Sequence, residues 1–206
     1  MLILEQYGVR LVRVQEKDIE RIRNWRNQED VARFMEYRSY ITPEAQKAWF
    51  NSINNKNNYY FIIEIDNKQI GLINSKNYDP VIGFGEGGIF ISDKDYLHSF
   101  AAVFASLCLL NFMFLKLNVS AVSRIKVLKT NERAIQYNKL LGYKLLPGQE
   151  HLENQVYELH IEDYKKASLK LNKAAARLSG GQSELKYSGE VSELNMDAIN
   201  ALLSNL

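Results

Sequence analysis

Cysteine and histidine are scarce in this chain, and each scarcity removes a class of function. Its 206 residues include one cysteine, Cys108, and three histidines. A single cysteine excludes an intrachain disulfide and suits a reducing compartment, so a cytoplasmic location is expected. It leaves no cysteine cluster for zinc, and no metal is expected. The histidines give no evident Ser-His-Asp set. An excess of one charge is missing too. Lysine and arginine number 26 against 24 aspartate and glutamate, a formal net charge of +2. That balance gives no electrostatic footprint for nucleic acid, and none is expected as a partner. The longest apolar stretch, residues 100–115, is broken by Ser106 and Asn111. It falls short of the roughly 20 residues of a membrane span and reads as a helix buried inside an α/β domain. No membrane partner is expected. The first five residues reach an acid, Glu5, without a basic region, so no secretory signal is read there.

What is present is an ordinary globular composition, 46% hydrophobic and 24% charged. A chain of this length buries about 70% of its unfolded surface without staples. Cys108 lies in the apolar stretch and reads as a small hydrophobe.

Residues 9–14 are a strand candidate, and residues 18–27 read as a helix with Ile19, Ile22 and Trp25 on one face. A short helix is expected over 30–35. Thr42-Pro43-Glu44 is a helix start, with Thr42 as N-cap and proline at the first helical position. That helix is expected to turn Ala45, Ala48, Trp49 and Ile53 inward. Residues 59–65 and 69–75 read as a hairpin around Asp66-Asn67-Lys68. A strand over 86–91, a long helix over 98–117, a strand over 124–128 and a helix over 132–141 follow. Strands over 143–146 and 155–161 complete one mixed sheet covered by helices. The tail differs in character. Residues 164–178 form a lysine-rich helical pattern and 179–183 a flexible break. Residues 194–206 form a small amphipathic pattern that either packs back on the domain or meets a partner chain, which makes a homodimer a candidate assembly.

Two stretches point to chemistry. Over residues 86–117 a helix projects from a strand, offering unpaired backbone N–H groups and a positive dipole end that suit a pyrophosphate. Ser99, Ala101 and Ala102 are small enough to let an anion reach the backbone. Alone, this pattern is shared by many helices that bind nothing. Asn131 to Tyr143 is the second stretch. Read from its residues, it is a helix capped by Asn131 and ended by Gly142, leading into a strand.

On these residues the chain resembles the GNAT acetyltransferases. Asn131, Ala134 and Gly142-Tyr143 are similar to the family's late motif. Glu86-Gly87-Gly88-Ile89-Phe90-Ile91 is similar to its fourth strand, and the helix from His98 to its pyrophosphate-binding helix. Trp25-Arg26-Asn27, Val31, Met35, Ile41, Trp49 and Phe50 resemble a subgroup. It includes amino-sugar N-acetyltransferases of the pseudaminic-acid type and ribosomal-protein N-terminal acetyltransferases. The likeness covers about residues 7–164 and omits the tail. It divides the chain into a GNAT domain, 1–164, and a helical C-terminal extension, 165–206.

The resemblance implies an α/β GNAT fold, a twisted mixed β-sheet of about seven strands flanked by helices. It implies acetyl-CoA as co-substrate, its pantetheine pairing with the fourth strand where the fourth and fifth splay apart. A backbone N–H near Ile89, Phe90 or Ile91 would hold the thioester oxygen as it becomes an oxyanion. His98, Ser99, Phe100, Ala101 and Ala102 would form the pyrophosphate loop, and Asn131 and Asn138 would also contact the cofactor. Two positions depart from the family. Phe100 stands where a glycine is usual, so its side chain must point away. Asn138 stands where many members place the tyrosine that protonates the departing thiolate. Tyr137 is one residue earlier, about 100° around the helix. The acid is left between Tyr137, Asn138 and water.

Glu86 is the first candidate for the base that takes the amine's proton, and it reads equally as an exposed acid at a strand start. Glu36 and Asp79 are the other candidates. Arg26, Asn27, Glu36 and Tyr37 would face the acceptor, with Tyr40 and Trp49 either stacking on it or packing in the core. The resulting expectation is direct acetyl transfer to the amine of a small, nucleotide-linked amino sugar, without an acyl-enzyme. A protein N-terminus as acceptor, and a non-catalytic acyl-CoA-binding module, are the alternatives.

Overall fold

The computed structural model describes residues 1–79, 81–118 and 120–189. The amphipathic pattern over 194–206 lies outside them.

Strand β3 (Tyr59–Ile65) shows how the sequence builds a sheet with two covered faces. Side chains alternate across a strand. Tyr59, Phe61 and Ile63 therefore enter one core cluster, and Tyr60 and Ile62 enter another. The expected hairpin forms, with a two-residue turn at Asp66-Asn67, both with positive φ; Lys68 belongs to β4 (Lys68–Asp79), which also runs past the expected end at 75. Before β3 lie β1 (Ile3–Gln6) and β2 (Val9–Arg13). After β4 come β5 (Phe84–Ile91), β6 (Val122–Leu128), β7 (Lys144–Leu145), β8 (Asn154–His160) and β9 (Lys186–Ser188). They form one nine-stranded mixed sheet in the order β7-β8-β6-β5-β4-β3-β2-β1-β9.

The sheet exceeds the expected seven strands by β1 and β9. Strand β1 joins β2 through Tyr7 (φ 56°) and Gly8 (φ 78°), a turn with two left-handed residues. Tyrosine is an unusual occupant of that conformation. Its ring is buried and its hydroxyl donates to Asn172 Oδ1 at 3.0 Å, which fixes the turn from outside. Strand β9 is three residues long and finds its partner, β1, at the other end of the chain.

Helices cover both faces. Helices α1 (Ile19–Arg26), α2 (Glu29–Ala32) and α3 (Pro43–Ile53) cover one. There Ile22, Phe50, Tyr60, Ile62 and Leu72 form a core cluster, with Trp25, Trp49 and Phe90 packed against it. Thr42 caps α3 as its sequence requires, accepting from the Ala45 N–H at 3.2 Å. The inward face of α3 is rotated from the expected one. Gln46 and Phe50 are buried, Trp49 and Ile53 half-buried, while Ala45 and Ala48 face solvent. The large side chains set the rotation, because they have most apolar area to remove from water.

Helices α4 (Ala101–Leu110), α5 (Glu132–Leu140) and α6 (Ile161–Leu178) cover the other face. Helix α4 continues as a π-helical segment, Asn111–Lys116. There the buried Asn111 donates to Gln6 Oε1 at 2.9 Å and accepts from the Tyr164 hydroxyl at 2.6 Å. Gln6 donates in turn to the Ser183 carbonyl at 2.9 Å. One polar network thus joins β1, the π segment and the chain after α6. Removing a buried member strands its partners. Asn111→Ala is expected to lower the unfolding free energy by about 3 kcal/mol, read from urea denaturation.

Candidate active site

Strands β5 and β6 run parallel and pair only through Phe84↔Val122, Gly85↔Ser123 and Glu86↔Arg124. Beyond Glu86 they part. Strand β5 stays on β4 as far as Ile91↔Gly71, and β6 stays on β8 as far as Leu128↔Asn154. One edge of residues 87–91 is therefore left without a strand. The gap opens into a cleft of about 1340 Å³ lined by residues 85–91 and 122–128. Backbone N–H and C=O groups on such an edge require partners, and the amides of an extended ligand can supply them.

The start of α4 forms one end of the cleft, with His98, Ser99, Phe100, Ala102 and Val103 in its wall. The Ser99 hydroxyl accepts from the Ala101 N–H at 3.1 Å and donates to the Tyr96 carbonyl at 2.8 Å. The Phe104 N–H turns back to the Phe100 carbonyl. Among the described residues, the N–H groups of Ala102 and Val103 are left without partners. They are the donors available to a pyrophosphate, aided by the helix dipole. Ala101 is buried and lies off the cleft wall. The Phe100 ring, 55% exposed, stacks on Phe104 with centroids 6.0 Å apart. A side chain at this position is accommodated because the ring lies along its own helix. Asn131 lines the cleft while its Oδ1 caps α5 through the Ala134 N–H at 3.1 Å.

The α1–α3 flank carries charge. The Glu86 carboxylate is half-buried, 3.4 Å from Lys76 Nζ, and accepts from Asn77 Nδ2 at 3.1 Å. Asp30 pairs with Lys94 at 3.0 Å and Arg33 at 3.5 Å, and Glu36 pairs with Lys126 at 3.4 Å. Every acid in the cleft wall thus has a cation. Arg26 has no acid. Its Nη2 donates to the Tyr37 carbonyl at 3.3 Å, its Nε is buried without a partner, and no carboxylate among the described residues pairs with it. Burial lowers its pKa by penalising the charged form, and nearby Tyr60 opposes the shift.

Tyr60, which the sequence did not single out, is buried in the same wall. Burial raises its pKa, Trp49 and Arg26 lower it, and Glu86 raises it. Its only sequence signal is its place on the same face of β3 as Ile62. Tyr37 is exposed at the rim. Asn27 stands apart. Its amide accepts from the Ile41 N–H at 2.8 Å and donates to the Ile41 carbonyl at 2.9 Å, holding the approach to α3. Asp79 also lies outside the wall, accepting from the Val81 N–H at 2.9 Å.

On the α4–α5 flank, Tyr137 and Asn138 both line the cleft. The Tyr137 hydroxyl donates to the Ala102 carbonyl at 3.0 Å and touches the Ser106 hydroxyl. Burial raises its pKa. Asn138 donates to the Ala134 carbonyl of its own helix at 2.8 Å.

A parted pair of parallel strands beside a free helix N-terminus makes a site for an extended thioester carrying a pyrophosphate. Residues 9–144 match the model of the acetyltransferase (GNAT) domain, and the chain belongs to that family. It is an acetyl-CoA-dependent N-acetyltransferase. No curated protein matches the sequence at a significant level. Among solved structures it is similar to apo FdhC, a nucleotide-linked sugar GNAT, at 24% identity and a TM-score of 0.66. That match covers 82% of this chain and 96% of the other. It is similar to spermidine N-acetyltransferase from Vibrio cholerae in complex with CoA and spermine, at 18% identity and a TM-score of 0.64, covering 77% and 98%. A domain from Methanocaldococcus jannaschii follows at 19% identity and a TM-score of 0.60, covering 78% and 98%. At these identities the likeness is one of fold.

Proposed function

We propose that the chain acetylates the amine of a small amino sugar that carries an anionic group, such as a nucleotide diphosphate. The observation that carries this reading is Arg26, a cation in the cleft wall with a buried, unpartnered Nε and no carboxylate. Burying a cation without a carboxylate is costly, and an anionic acceptor in the cleft would compensate its charge. A polyamine, the ligand named for the Vibrio cholerae enzyme, calls for free acids. Here Asp30, Glu36 and Glu86 are each paired with a cation. The nucleotide-linked sugar named for FdhC is the closer chemistry.

In this reading Glu86 takes the amine's proton, and the amine attacks the thioester directly. Backbone N–H groups on the open edge of β5 hold the thioester oxygen as charge develops on it. The N–H groups of Ala102 and Val103 hold the pyrophosphate.

CoA release from acetyl-CoA, followed with nucleotide-linked amino sugars, spermidine and basic N-terminal peptides, tests the acceptor class. Release with the sugars alone is expected. Release with spermidine or peptides and none with sugars would overturn the reading. Arg26→Met is expected to raise the acceptor KM about 10- to 100-fold, the worth of a charge-assisted hydrogen bond, and to leave the acetyl-CoA KM unchanged.

A further inference from the structure

Two hydroxyls outside the roles assigned above meet at the point where β5 and β6 part. Ser123 on β6 and Tyr143, just after α5, both line the cleft, and their oxygens are 2.8 Å apart. Gly87 is the first residue of β5 beyond the last pair, Glu86↔Arg124. A Cβ built on Gly87 would stand 3.4 Å from Ser123 Oγ and 3.5 Å from the Tyr143 hydroxyl oxygen. The hydroxyl pair therefore borders the apex of the gap, on the face of the sheet covered by α4 and α5. The neighbouring donors are committed elsewhere, Tyr137 to the Ala102 carbonyl and Asn138 to the Ala134 carbonyl.

We propose that the Tyr143 hydroxyl, oriented by Ser123, donates a hydrogen bond to the CoA sulfur as the C–S bond breaks. The inference rests on acetyl-CoA occupying the gap between β5 and β6. The amine nitrogen forms the C–N bond, and its surplus proton passes to Glu86 and then to solvent. The electron pair of the C–S bond goes to sulfur. That charge meets the Tyr143 O–H, and the departing thiolate takes its proton from solvent. Gly87 contributes by omission, since a side chain there would fill the space in front of both hydroxyls. Burial raises the Tyr143 pKa to about 12 although the bond with Ser123 lowers it, so the phenol stays protonated and acts as a donor.

The test is the ultraviolet thiolate absorbance of CoA bound to the full chain, titrated against pH. CoA alone is the probe, so the result does not depend on which amine is acetylated. The bound thiol is expected to titrate about one to two pH units below free CoA, the worth of a hydrogen bond to a charged group. Tyr143→Phe is expected to return it by about one pH unit or more, while Tyr137→Phe leaves it unchanged. A wild-type titration equal to that of free CoA would overturn the inference. So would an unshifted Tyr143→Phe, or a shift carried by Tyr137→Phe. Ser123→Ala keeps the ring, and tests the same point if Tyr143→Phe loses its fold. A partial return toward free CoA supports the assignment, and none overturns it. Failure of CoA to bind at all would overturn the acetyl-CoA reading together with this one.

Discussion

Replacing Glu86 by glutamine is expected to lower kcat by about two to three orders of magnitude and to leave acetyl-CoA binding in place. The substitution keeps the shape of the side chain and its contact with Asn77 and removes only the ability to hold a proton. It also removes the ion pair with Lys76, which is half exposed at 3.4 Å. Such a pair contributes no more than about 1 kcal/mol, so the fold survives. The residual activity has its own signature. Without a base on the protein, only amine already neutral in solution reacts. Turnover of the variant is then expected to climb about tenfold per pH unit below the amine's pKa, more steeply than wild type over the same range. CoA release at several pH values, with the acetyl-CoA dissociation constant alongside, separates the two effects. Undiminished turnover at neutral pH would remove Glu86 from the mechanism.

Gly71→Ala is the second large effect, and it acts through the backbone. Gly71 lies opposite Ile91 in the β4–β5 ladder. A Cβ there would collide with the Phe90 carbonyl oxygen and come within 3.0 Å of Ile91 Cα. These neighbours are main chain, so no rotamer change relieves the clash. The two strands must separate or shift register. The loss is expected to be about 3 kcal/mol or more, a large part of the margin of a typical domain. The displaced segment, Phe90–Ile91, presents its other edge to the gap between β5 and β6, so catalysis should fail before the fold does. Urea denaturation and CoA release measured on one preparation would show turnover lost at denaturant concentrations where the variant is still folded. A variant as stable and as active as wild type would contradict the close packing of these strands.

The family was legible because its motifs rest on local chemistry, and the parting of the strands was expected only through that resemblance. Asn131 caps α5 and Gly142 (φ 100°) ends it, as their residue types require. The two-sided burial of β3 shows as an apolar and aromatic run over its first five residues, Tyr59 to Ile63. Other features were hidden because they depend on partners distant in the sequence. Strand β1 depends on a turn made by a tyrosine that Asn172 holds in place. The free charge of Arg26 is visible only once Asp30, Glu36 and Glu86 are seen to be paired with other residues. Asn27 shares a motif with Arg26, yet the fold gives its side chain to Ile41. Tyr143 reads in the sequence as the aromatic half of a helix-ending motif. Its hydroxyl gains meaning only when β6 brings Ser123 to it.

The pairing of β9 with β1 also sets a schedule for the molecule's birth. Gln6 and its partner Ser183 are 177 residues apart. A ribosome adds about 5–20 residues per second, so roughly 10 to 35 s pass between their emergence. Throughout that interval the nascent sheet carries an open flank, able to recruit a strand from any neighbouring chain. Strand β9, the last described strand, covers that flank of β1, so the flank stays exposed well after β5 and β6 of the cleft have been made.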